Sequence, residues 1–167
     1  CQNENGENSN DINKDGSSSV PDAGLETLDF ALVSIHGSFD LPRVDQTRRV
    51  LNALSHPKVK IFEHPTARKI NERESVELDW PKIFDFCLKN SKWIEINADP
   101  MRLDLPDTLV RDAVKLGVKL TLGTDTHEVS MMGNMKYGVN VARRGWAEKK
   151  DIVNTLPLID LINLISN

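Results

Sequence analysis

Three of the four histidines in this 167-residue chain stand where chemistry is commonly done. His36 follows the apolar run at residues 30–35, and His64 follows the run at 59–62. Asp125 and His127, in Thr124-Asp125-Thr126-His127, follow the run at 118–122. Imidazole and carboxylate groups are ligands for zinc, manganese or iron. Such an ion lowers the pKa of a bound water and braces a phosphoryl group. A single histidine at a strand end is more often a capped or hydrogen-bonded residue, but three strand ends together favour a metal site. Alternate residues of an extended segment project from one side, which strengthens the Asp125/His127 pair. Glu95 and Asn97 share a face in the same way, and either a substrate contact or a strand-end ion pair fits them. Arg68 and Arg102 carry guanidinium groups suited to bidentate phosphate binding, as well as to ordinary surface ion pairs. His56 follows a helical segment and reads as a surface residue.

The elements that must position these residues alternate in type. Residues 30–35, 59–62, 93–96 and 118–122 read as strands, the first being a near-continuous apolar run of the kind buried on both faces. Helical periodicity covers 43–54, 79–90 and 106–116. Asp79 can cap the second of these, and Pro81 fits its first turn. Two further helices are expected at about 147–154 and 157–165. Four strand-and-helix units at this spacing define an α/β chain with a parallel sheet. In such architectures functional residues converge past the C-terminal ends of the strands.

Composition narrows the options. The chain is 39% hydrophobic and 28% charged, a globular balance. The net charge of −4 argues against binding nucleic acid mainly through bulk positive charge. No apolar run reaches about 18 residues, so no membrane-spanning helix is expected. Cys1 and Cys87 are too far apart and too few for a disulfide framework. Residues 1–24 are polar and Ser/Asn-rich and are expected to form a mobile N-terminal segment, with the folded domain at 25–167. The location expected is cytoplasmic. A chain beginning at Cys1 leaves open a lipid-anchored, extracytoplasmic alternative in which that cysteine is a processed lipoprotein residue.

Ser34-Ile35-His36, Glu63-His64-Pro65-Thr66-Ala67-Arg68, Glu95-Ile96-Asn97-Ala98 and Thr124-Asp125-Thr126-His127 resemble successive motifs of the polymerase and histidinol phosphatase (PHP) family. Arg102-Leu103-Asp104-Leu105, Tyr137-Gly138-Val139, Ala142-Arg143-Arg144-Gly145-Trp146 and Asn154-Thr155-Leu156 fit the PHP domain found at the C-terminus of bacterial and archaeal family X DNA polymerases. The resemblance covers roughly residues 11–160 and rests on the combination of motifs. It implies the C-terminal part of a distorted (β/α)7, TIM-like barrel of about four βα units. It also implies a centre of up to three divalent ions (manganese, zinc or iron) and hydrolysis of phosphoesters. In the polymerase-linked subgroup the implied activity is a manganese-dependent 3′–5′ exonuclease or other DNA-end processing. By position, His36 and His64 match histidines that share one metal, and Asp125 and His127 match ligands of the other two. Arg68 and Glu95 match positions near the site.

Two departures shape the expectation. The family's first His-x-His motif and its following Asp-His motif are absent from the chain. The family's bridging glutamate would fall at Ser9, with Glu7 close by but out of register. A phosphoesterase domain is therefore expected that is inactive, or nearly so, as this piece, with phosphoester substrates such as DNA ends and a polymerase core as possible partners. The alternatives are a non-catalytic half-barrel that binds or scaffolds, and a different metal-dependent hydrolase on a (β/α) barrel.

Overall fold

The computed structural model describes residues 11–166. Its centre is a four-stranded parallel sheet made of β1 (Ala31–Val33), β2 (Val59–Phe62), β3 (Trp93–Asn97) and β4 (Leu120–Gly123). The strands lie side by side in chain order. β3 and β4 are in register from Ile94 opposite Leu120 to Asn97 opposite Gly123. The connections carry α2 (Arg43–Ser55), α3 (Trp80–Lys89) and α4 (Asp107–Leu116), after a short α1 (Asp22–Leu25). This is the βα alternation expected from the sequence, and an α/β sheet of this kind is consistent with part of a barrel.

The middle strands are buried along their whole length, their polar residues Lys60, Glu95 and Asn97 included. Successive residues nevertheless serve opposite faces. Phe62 and Ile94 join the main core with Val33, Leu54 and Ile83. Their neighbours Ile61 and Trp93 pack on the other side with Val153, Leu161 and Ile165. Asp79 caps α3, its side chain accepting from the Lys82 amide with Pro81 in the first turn.

Three segments differ from the sequence expectation. Residues 11–24 fall within the stretch expected to be mobile, yet they are tied to the sheet. Asp11 bridges Ser34 in parallel register, the Ile12 amide donates to the Ser34 carbonyl at 2.9 Å, and Ile12 is only 2% exposed. Burial of one isoleucine and a place on the β1 edge outweigh the polar composition around it. Residues 1–10, including Ser9, Glu7 and Cys1, lie outside the described residues. The helix expected at 147–154 is instead two single 3₁₀ turns, Lys149–Asp151 and Val153–Thr155. Ile152 between them is extended and bridges Leu120. The Asn154 side chain donates to the Leu122 carbonyl and accepts from its amide. The edge of β4 thus claims this segment. A helix that the pattern does not announce, α5 (Met135–Arg144), follows β4. Gly138 explains it: a Cβ there would stand 2.9 Å from the Ala98 Cβ, so the residue that weakens the helical pattern is the one that lets α5 reach the sheet. The chain closes with α6 (Leu158–Ser166). No helix among the described residues is long and apolar enough to cross a membrane.

Ile94 is fully buried on the central strand. Ile94→Ala should lower the free energy of unfolding by about 2–5 kcal/mol, measured by urea denaturation. A loss under 1 kcal/mol would mean that β3 does not sit in a close-packed core.

Candidate metal centre

All four strands point their C-terminal ends at one region, and His36, His64, Glu95 and Asp125 occupy it. His36 and His64, from neighbouring strands, face each other with their Nε2 atoms 3.2 Å apart and ring centroids 5.0 Å apart. The Ser34 hydroxyl lies 3.4 Å from the same His36 nitrogen. Two nitrogens bound to one tetrahedral ion at about 2.0–2.1 Å are about 3.3 Å apart, so this pair is spaced as two ligands of a single ion would be. Burial is the main force holding His64 well below the ordinary histidine range, and the positive charge of Arg102 adds to it. Burial also lowers His36, with Arg102 and Arg73 acting in the same direction against Asp11 and Asp125. Both rings are therefore kept neutral, the form that binds metals.

The backbone is bent to achieve this. His64 and Asp125 adopt positive φ values of 26° and 50°, in a region L-residues seldom visit. Such strain is held only when the surroundings over-determine it, and at His64 those surroundings are visible. Its amide donates to Glu95 Oε2 at 2.8 Å. Two residues on, the Thr66 amide donates to the fully buried carboxylate of Asp104 at 2.9 and 3.1 Å. Burial raises Asp104 to about 6, despite those hydrogen bonds and the nearby Arg68 and Arg102.

Glu95 is 4% exposed and lies under the histidine pair. Burial first, then the charge of Glu63, pushes its carboxyl up to about 8. Its other contact is the Asn97 amide nitrogen at 3.2 Å, and Asn97 in turn accepts from the Asp99 amide. Gly123 makes room for this arrangement, since a Cβ there would meet Glu95 Oε1 at 1.9 Å.

The remaining expected residues are placed differently. Asp125 forms an ion pair with Arg102, Oδ2 to Nε at 3.2 Å, both largely shielded from solvent. His127 is exposed, its side chain 70% accessible, and its Nδ1 contacts the Asp125 carbonyl instead of turning toward His36 and His64. Arg68, expected to steady a substrate phosphate, directs Nε to the Arg102 carbonyl at 2.7 Å and Nη2 to that of Leu103. It therefore buttresses the loop that carries Arg102. His56, read as a surface residue, is partly buried at the end of α2, with its Nδ1 accepting from the Lys58 amide. Among the described residues, no group of three or more His, Cys, Asp or Glu side chains stands close enough to hold a metal ion as placed.

Sequence reasoning missed three contributors. The Asp11 carboxylate accepts from the His36 amide at 3.0 Å. Asp104 holds the turn at Thr66. Arg73 lies over the Phe39 ring at 3.8 Å and donates to the Ala67 carbonyl. Only the motif around Arg102-Leu103-Asp104 offered a signal, and it does not say what the aspartate binds.

The α/β parallel sheet gathers a histidine pair, buried carboxyls and a guanidinium past its C-terminal strand ends, side-chain types of the kind that bind metal ions and phosphate. Comparison with known proteins makes the relationship specific. The chain is 37% identical to the DNA polymerase/3′-5′ exonuclease PolX of Bacillus subtilis over 151 residues, which is 90% of this chain and 26% of that protein. It is 23% identical to a probable phosphatase of Thermoanaerobacter sp. over 87% of this chain and 61% of the relative. A probable phosphatase of Caldicellulosiruptor saccharolyticus is 27% identical over 71% of this chain and 50% of its own length. The chain thus spans about a quarter of PolX and three-fifths or less of these phosphatase relatives. No protein-family model matches it. The similarities bear out the PHP resemblance drawn from the motifs, with the family X polymerase proteins among the chain's relatives.

The raised carboxyl of Glu95 makes a pH prediction. An unfolded glutamate titrates near 4.3, so between that value and about 8 the folded state holds a proton that the unfolded state has released. The associated stability is present at low pH and declines as pH rises through this window. Glu95→Gln keeps an acceptor for the His64 amide and removes the titration. Its urea midpoint should gain steadily on that of the unmodified chain between about pH 5 and pH 8. Parallel pH slopes would show that Glu95 is not held protonated.

Proposed function

We propose that the chain is a metal-dependent phosphoesterase piece of PHP type, acting in its family context on phosphodiester ends such as the 3′ end of DNA. The observation carrying this reading is the pair of neutral, facing imidazoles of His36 and His64 at the ends of adjacent parallel strands, spaced for one ion. A bound divalent ion would activate a water and neutralise charge on a phosphoryl oxygen. His36 and His64 would hold it, with manganese, zinc or iron as the candidates. Glu95 fixes the His64 backbone from below, and Asp11 fixes that of His36. Arg102 is the residue best placed to meet a substrate phosphate, because its guanidinium, now on Asp125, already lies within electrostatic reach of both histidines. Asp125 and His127 would join a fuller centre only after Asp125 leaves Arg102 and His127 turns inward. The PolX relative supports DNA as substrate and a polymerase as the companion, and the phosphatase relatives support phosphoester hydrolysis more broadly.

A second reading has a specific observation behind it. Two of the four expected ligands meet and two do not, as would suit a non-catalytic binding or scaffold domain. Both readings predict little turnover by this chain, and metal binding separates them. The phosphoesterase reading expects Zn²⁺ or Mn²⁺ to bind in calorimetric titration, with His36→Ala and His64→Ala each weakening it about tenfold or more. Hydrolysis of a 3′-labelled oligonucleotide or p-nitrophenyl phosphate should stay near background. Failure to bind metal would sink the phosphoesterase reading, and rapid turnover would sink the inactivity.

A further inference from the structure

Leu103, the residue after Arg102, lines a groove outside the histidine site, a cavity of about 340 Å³ between the Arg102 loop and α5. Tyr137, Asn140 and Arg144 line it from α5, and Arg68 and Asp107 complete it with Leu103. Positions 137, 140 and 144 fall on one helical stripe, and all three side chains are exposed. Gly138 and Ala142, on another stripe of the helix, are its buried residues. The volume suits a small organic group rather than a lone ion. The charge is local and positive. From Val129 to Ala147 the chain has no acidic residue, while Lys136, Arg143 and Arg144 are cationic. Asp107 is the one acid in the groove lining, against the two guanidiniums of Arg68 and Arg144. Arg144 meets it through Nε at 2.7 Å, and the Arg144 side chain is still 75% exposed.

We propose that this groove binds single-stranded DNA, with one base stacked on Tyr137, the Asn140 amide at the edge of that base, and a backbone phosphate on Arg144. The proposal rests on the phosphoesterase reading for its substrate class and adds a strand-binding surface outside the metal centre. An aromatic ring beside a cationic groove is the combination that holds unpaired bases, because every base has a face to stack and every step has a phosphate. A duplex keeps its bases stacked on one another and offers Tyr137 none. Asn140 carries both a donor and an acceptor, which suits the polar edge of any base. The Arg144 guanidinium has donors beyond the Nε used by Asp107, and they fit phosphate oxygens. A second exposed ring continues the surface. Trp146, 67% exposed, stands two residues past Arg144, and Arg111 lies over its ring at 4.1 Å. Gly145 between them packs on the Asp107 carbonyl and Val110, so this ring stays beside the groove. The net charge of −4 is compatible with such a surface, since a few cations and two rings act locally.

The test is fluorescence anisotropy of a labelled single-stranded oligothymidylate titrated with the full chain in EDTA, so that no metal ion contributes. Tyr137→Leu should weaken binding about fivefold or more, while Tyr137→Phe, which keeps the ring, should stay within about twofold of the unmodified chain. Arg144→Ala should weaken binding and reduce the slope of log affinity against log salt by about 0.7. Tyr137→Leu should leave that slope unchanged, a separation that simple loss of structure would not give. Arg48→Ala and Lys82→Ala, which remove cations from the different groove between α2 and α3, should change neither quantity. Circular dichroism confirms that each variant is folded. Absence of oligothymidylate binding, binding that Tyr137→Leu and Arg144→Ala leave intact, equal losses in Arg48→Ala and Lys82→Ala, or tighter binding of a duplex of the same length would each overturn the proposal. Titration with Zn²⁺ or Mn²⁺ judges the phosphoesterase reading separately. Ion binding without strand binding leaves that reading standing and removes the groove, and strand binding without ion binding does the reverse.

Discussion

The hydrogen bond from the His64 amide to the buried carboxyl of Glu95 is the contact on which the site turns. It joins the end of β2 to the middle of β3 and holds His64 at a φ it would not otherwise keep. The cost of placing a carboxyl inside the protein is met partly by protonation and partly by its two donors. It requires a glycine on the next strand, since any side chain at 123 would take the carboxyl's place. One buried acid therefore ties three neighbouring strands to the orientation of a single imidazole.

Around that contact the positive groups are arranged to keep the imidazoles neutral. Arg102 lies close enough to both rings to disfavour their protonation, and Asp125 anchors it. Arg68 supports Arg102 from behind through backbone carbonyls. The guanidinium groups that sequence reasoning would send to a substrate are here divided between one that holds a loop and one that shapes the field at the histidines.

Much of this framework could be read from the chain. β2 and β3 are legible from the short apolar clusters Val59-Ile61-Phe62 and Trp93-Ile94-Ile96, and α3 is legible because Asp79 and Pro81 mark its start. His36 and His64 were found because each stands just past such a strand. What escaped notice depends on partners far along the chain. The 147–154 segment looks helical by its own pattern, yet Ile152 and Asn154 answer to Leu120 and Leu122. α5 is hidden by Gly138, whose reason is Ala98. Asp104 sits 38 residues from the Thr66 amide it accepts, and no local spacing encodes that. His127 shows the opposite limit, for its motif is present while its ring lies in solvent.

The bridge between Asp11 and Ser34 has a dynamic meaning. One short strap covers the β1 edge through the Ile12 amide, inserts the Ile12 side chain into the core, and grips the His36 backbone through the Asp11 carboxylate. A strap along a sheet edge belongs to the part of a protein that opens before its central strands. When it lifts, the edge of the sheet and the anchor of one imidazole are released in the same event. Fraying of the strap and disorder of His36 are then a single cooperative opening, and the readiness of the histidine pair is tied to the edge of the sheet.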